Sequence, residues 1–107
     1  MVTQIRKRDG SIVQFDKQKI ATAIYKAARA VGGENRNRSE ELAVIVSQKL
    51  EKSMPYSIPS VENVQDIVEE ILLKEGHHKT VKSYIIYREN RRKVRENKKA
   101  MLDVEKT

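Results

Sequence analysis

The residues richest in chemistry are cations near the start of the chain. Arg6, Lys7 and Arg8 precede an Asp9-Gly10 turn signal, and Lys17 and Lys19 follow Asp16, a residue type that caps helices. A helix N-terminus carries about half a positive charge and unpaired N–H donors. Lysines in that first turn oppose the dipole and cost stability unless an anion sits among them. A hairpin turning at Asp9-Gly10 brings Arg6, Lys7 and Arg8 back towards the same helix start. The chemistry indicated is anion binding. The competing reading is a solvated, charged hairpin.

Other chemistry is poorly supplied. The only histidines, His77 and His78, are adjacent and cannot face one site from a helix. They read as a solvated loop pair rather than metal ligands. Glu69 and Glu70 are adjacent and diverge, so paired-carboxylate acid–base work is not indicated. There is no cysteine, which excludes a thiol nucleophile and a cysteine zinc site, and no Walker A, GxGxxG or HExxH motif.

The chain has 107 residues, one domain's worth, with 35% charged residues and a net charge of +7. The surplus is concentrated in 88–99, RENRRKVRENKK, which holds seven basic residues and two acids. A run of that kind attracts nucleic acid in principle, although aromatic residues that would stack on bases are not interleaved with it. No apolar run is long enough to cross a membrane, and the first ten residues lack the apolar core of a secretory signal. A cytoplasmic chain is the expectation.

Hydrophobic spacing predicts the elements that must position the cations. Residues 2–8 and 11–15 read as a β-hairpin with a two-residue type I′ turn, both central residues at positive φ. Asp16 caps a helix over 17–31 with Ile20, Ile24, Ala27 and Val31 on one face, ended by Gly32-Gly33. Ser39 is the expected cap of a second helix to about residue 52, striped by Leu42, Ile45, Val46 and Leu50. Ser60 caps a third over 61–75, which Gly76 stops. A fourth begins near Lys79, with Val81, Tyr84, Ile85 and Tyr87 in its buried half, and turns polar all round beyond Arg88.

Three blocks carry a family resemblance. Ile5-Arg6-Lys7-Arg8-Asp9-Gly10, then Phe15-Asp16, Lys19-Ile20 and Ala23-Ile24-Tyr25-Lys26-Ala27, resembles the opening of the ATP-cone domain: V-x-K-R-D-G, F-D, K-I, A-I-x-K-A. The stretch from Ser60 to Glu69, SVENVQDIVE, is similar to the family's S-V-E-x-I-Q-D-x-V-E. Val81 to Arg88 followed by Arg91 is similar to A-K-x-Y-I-x-Y-R-x-x-R. The blocks stand in the family's order and cover residues 2–92.

The resemblance implies a mainly α (α+β) fold, a four-helix bundle capped by an N-terminal hairpin or small sheet. It implies an ATP-cone domain over 1–92 and a charged helical extension or connector over 93–107. It also implies a regulatory domain without catalytic residues. ATP cones sense ATP against dATP on ribonucleotide reductases and switch activity through oligomerisation. The implied ligands are ATP and dATP with Mg²⁺; the implied partners are a reductase catalytic body and further copies in a homo-oligomer. The missing cysteines exclude the zinc ribbon that accompanies the cone in the repressor of reductase genes.

By position, Lys7 and Arg8 match the basic pair that reaches the phosphates, with Ile5 and Arg6 at base and backbone contacts. Asp16 matches a polar position at the first helix, and Lys19 a phosphate ligand. Val61 and Gln65 lie where the family holds adenine and sugar, and Arg88 and Arg91 offer basic groups to the triphosphate. Val13 stands where some relatives have an acid, so that contact is lost. The alternative reading is a nucleic-acid-binding or transcriptional regulatory module using 88–99.

Overall fold

The computed structural model describes residues 2–105, and side chains as far as Lys99. A short hairpin, β1 (Gln4–Arg6) and β2 (Ile12–Gln14), leads into four helices. These are α1 (Lys17–Arg29), α2 (Arg36–Ser53), α3 (Val61–Lys74) and α4 (His78–Glu105). Each helix packs on its neighbours in a closed ring, α1 on α2 and α4, α3 on α2 and α4. The expected bundle with a β cap is what forms.

The core follows the predicted stripes. Ile20, Ile24 and Ala27 of α1 meet Leu42, Val46 and Leu50 of α2, and Val64, Val68, Ile71 and Leu72 of α3 close the centre. Val81 and Tyr84 are α4's contribution. Ile85 and Tyr87 were expected to be buried with them, but both are exposed. The buried line of α4 runs from Val81 through Tyr84 to the half-buried Arg88, steps of three and four residues that keep one helix face. A charged residue thus occupies the place where the apolar pattern pointed to Ile85 and Tyr87.

Asp16 and Ser60 cap α1 and α3 as expected, each accepting a backbone N–H. Ser60 goes further and forms a reciprocal capping box with Asn63. Ser60→Ala is expected to cost about 1 kcal/mol, a fall in melting temperature of roughly 4–8 °C by thermal circular dichroism. The second helix departs from its prediction. Asn35 caps it by accepting from Arg38 N–H, one turn before Ser39, which is buried inside the helix. The polar run ahead of Ser39 hid a first turn whose side chains need no core. The first helix also ends earlier than expected, at Arg29, with Gly32 at φ 91 and Gly33 N–H returning to the Ala28 carbonyl.

The hairpin turn differs as well. Among the described residues only glycines have positive φ, so Asp9 does not share Gly10's conformation (φ 89). Gly10 N–H bonds the Lys7 carbonyl, and Lys7 N–H bonds the Ser11 carbonyl. That is a type I turn followed by a glycine bulge, the three-residue hairpin rather than the two-residue one. Asp9 is used differently: its Oδ1 accepts from the Ser11 hydroxyl at 2.6 Å and the Ser11 N–H at 2.9 Å. Those bonds hold its carboxyl below the usual range.

Candidate functional site

Two helix starts and the hairpin meet at one end of the bundle. β2 runs directly into the Asp16 cap of α1. β1 is tied to the start of α3, since Arg6 N–H donates to the Pro59 carbonyl at 2.8 Å and Arg6 pairs with Ser60 in a parallel bridge. Between them lies a cleft of about 780 Å³, a size usual for small-molecule sites. Its floor is apolar and buried: Ile20, Val64, Val68 and Tyr84. Ile5, Val13, Phe15 and Val61 form its sides, and Lys7, Asp16, Lys19 and Gln65 its polar rim.

The rim is electropositive by construction. The first turn of α1 contains no acidic residue but carries Lys17 and Lys19 against the dipole. Among the described residues, neither Lys7 nor Lys19 has an ion-pair partner. The one carboxylate on the rim, Asp16, is occupied in capping Gln18 N–H at 2.9 Å. A flat apolar group over the floor and an anion between the lysines would each find a complementary surface.

Six of the ten residues singled out in the sequence line this cleft: Ile5, Lys7, Asp16, Lys19, Val61 and Gln65. Arg8 stands next to it, donating to Gln65 Oε1 at 3.2 Å and pairing through Nε with Glu62 Oε1 at 2.7 Å. Arg6 folds onto its own turn, donating to the Gly10 carbonyl. Arg88 is placed elsewhere, clamped by Asp66 at 2.8 Å, Glu69 at 2.9 Å and Glu62 at 3.1 Å. Partial desolvation disfavours its charge, and the bonds to the three carboxylates more than offset it, so its pKa moves up. Arg91 is exposed on α4 and does not line the cleft.

Tyr84 is the lining residue whose role the sequence understated. Burial pushes its hydroxyl up to about 12, so it stays neutral at physiological pH. The carboxylate clamp on Arg88 is only half legible in the sequence: Glu62, Asp66 and Glu69 lie on one face of α3 at spacings of four and three, but nothing there names their partner. His77 is half-buried rather than freely solvated, its Nε2 accepting from Arg38 Nε at 3.3 Å. Among the described residues there is no cluster able to hold a metal ion by itself.

The sequence profile of the ATP cone domain matches residues 3–93. The chain belongs to the ATP-cone family. The match takes in the whole cleft, from the hairpin cations to Tyr84. The chain is 42% identical over 106 residues to a vitamin B12-dependent ribonucleoside-diphosphate reductase of Thermoplasma acidophilum, covering 94% of this chain and 13% of that protein. It is 36% identical over 101 residues to the reductase of the same description from Mycobacterium tuberculosis, with 94% and 14% covered. An anaerobic ribonucleoside-triphosphate reductase of Salmonella typhimurium is 30% identical over 91 residues, with 85% and 12% covered. The cone thus spans about an eighth of the length of these relatives. No helix of the described residues is long and apolar enough to cross a membrane.

Proposed function

We propose that this cone is an allosteric sensor that binds ATP and dATP in the cleft between the hairpin, α1 and α3. On this reading it regulates a ribonucleotide reductase, as part of it or as its partner, by changing how copies assemble. The observation that carries the reading is the pairing of a buried apolar floor with a rim of unpaired lysines at a helix start. The floor suits the base and the rim suits the phosphates. Mg²⁺ fits as a companion of the nucleotide: hard, phosphate-held, and needing at most one carboxylate oxygen, such as the Asp16 Oδ2 that the cap on Gln18 N–H leaves unused. Effector binding and assembly are then linked, each altering the other's equilibrium by the same factor.

Isothermal titration of the chain with ATP and with dATP, each with Mg²⁺, tests the reading. Saturable binding of both is expected; heats no larger than those of dilution overturn it. Light scattering with each nucleotide then shows whether assembly responds. Tyr84→Phe refines the picture. Among the described residues the hydroxyl has no hydrogen-bond partner within the protein, so the fold is expected to keep its melting temperature. ATP affinity falls about threefold if the hydroxyl meets the nucleotide. Unchanged affinity assigns Tyr84 to the floor alone.

The basic helix does not favour the nucleic-acid alternative. Arg88 is surrounded by carboxylates, and Arg92 pairs with Glu89 and Glu96 along its own helix. These bonds compete with phosphate for the same donors.

A further inference from the structure

One carboxylate touches both sides of the cleft's machinery. Glu62 Oε1 holds Arg8 at 2.7 Å, and Glu62 Oε2 holds Arg88 at 3.1 Å. Arg8 belongs to the hairpin turn, next in sequence to Lys7 on the cleft rim. Arg88 belongs to α4. Glu62 therefore joins the hairpin to the long helix across the first turn of α3, and it does so beside Gln65, which lines the cleft and also accepts from Arg8.

We propose that Glu62 is a positioning residue that competes with a bound polyphosphate for Arg8 and passes the outcome to α4. The inference rests on the nucleotide reading above. A phosphate offers an arginine the same forked, doubly accepting geometry as a carboxylate, with more charge. The Arg8–Glu62 pair is half open to solvent, with side chains 35% and 49% exposed, so little holds it against such a competitor.

Release of Arg8 changes the electrostatics around Arg88. With Arg8 in place, two guanidinium groups serve Glu62, Asp66 and Glu69. Without it, Arg88 alone faces all three. Two further cations, Arg92 and Arg95, line the same surface cavity as Arg8, Glu62 and Arg88. Arg92 is engaged by Glu89 and Glu96, so a shift towards α3 redraws the ion pairs along α4. Occupancy of the cleft would thus be written onto the helix that extends beyond the bundle, without any ligand contact there.

The test is a cycle of ATP titrations on the full chain: wild type, Glu62→Gln, Arg8→Ala and the double variant. Glu62→Gln frees Arg8 and is expected to tighten ATP binding about threefold, with no rise in melting temperature. A merely structural residue would lose affinity together with stability. The gain is expected to vanish in the Arg8→Ala background. An equal gain there would mean that Glu62 acts by long-range charge alone, and it overturns the relay, as does unchanged or weaker binding by Glu62→Gln. Binding by wild type with either of these results sinks the relay only; absence of binding by wild type sinks the nucleotide reading and the relay together. A second readout follows the guanidinium Nε–H signals by NMR. ATP is expected to move those of both Arg8 and Arg88, and in Arg8→Ala the Arg88 signal is expected to stay still. An Arg88 signal that ignores ATP in wild type also overturns the relay.

Discussion

Replacing Lys7 and Lys19 together by Ala lowers ATP affinity by about a hundredfold or more, and each single change by about tenfold. The estimate follows from a charge-assisted hydrogen bond lost at each position. Both lysines stand on the cleft rim with no described ion-pair partner, so nothing within the chain competes for them. The accompanying stability change has the opposite sign. Lys19 lies in the first turn of α1, where its charge opposes the helix dipole. Removing it stabilises the chain without nucleotide by a few tenths of a kcal/mol, about 0.3–1 at exposed positions. Titration calorimetry and thermal melts of the same samples check both halves. Lost binding together with a lowered melting temperature would point to misfolding instead. Lost binding with an unchanged or raised one assigns the lysines to the ligand. The gain in melting temperature that ATP gives wild type should disappear in the double variant, since that gain grows only with ligand concentration over Kd. A loss below about threefold in the double variant would remove phosphate from this rim.

The same residues show why the lining of the candidate cleft was more legible in the sequence than its wiring. Lys7, Asp16, Lys19, Val61 and Gln65 belong to local patterns, a turn, a cap and a helix start, and local geometry brings them to one end of the bundle. Core positions at three- and four-residue spacing are equally local, and most of them are buried as the pattern implies. Where reading fell short, a polar residue took a role that apolar periodicity does not register. Asn35, not Ser39, starts α2, because a cap competes on hydrogen bonds rather than burial. Gly10 takes positive φ alone, because the bulge places only one residue of the turn there. Arg88 continues the buried line of α4 in place of an aliphatic residue, which a search for hydrophobic stripes cannot see. Its three carboxylates come from a different helix, and pairing across helices depends on how the helices pack.

Arg88 is therefore the position where ligand and framework roles separate most sharply, and Arg88→Ala decides between them. If Arg88 chiefly binds triphosphate, its loss weakens ATP by tenfold or more and leaves the fold intact. The structure favours the reverse. The Arg88 side chain is 22% exposed, and its guanidinium is bonded to three carboxylates of α3. Its removal leaves Glu62, Asp66 and Glu69 repelling one another along one helix face, with their best counter-charge gone. A fully buried cluster broken in this way costs about 3–5 kcal/mol, and partial solvent access brings the expected loss nearer 2 kcal/mol. For a chain of this length that corresponds to a fall of roughly 10 °C in melting temperature. Glu69→Gln added to Arg88→Ala relieves part of the repulsion and should recover part of the loss. Glu69→Gln alone should destabilise wild type, so the two changes are not additive. ATP affinity in Arg88→Ala is expected to fall by less than about fivefold. The sign follows from the shared carboxylate: without Arg88, Glu62 turns wholly to Arg8 and holds it more firmly away from phosphate.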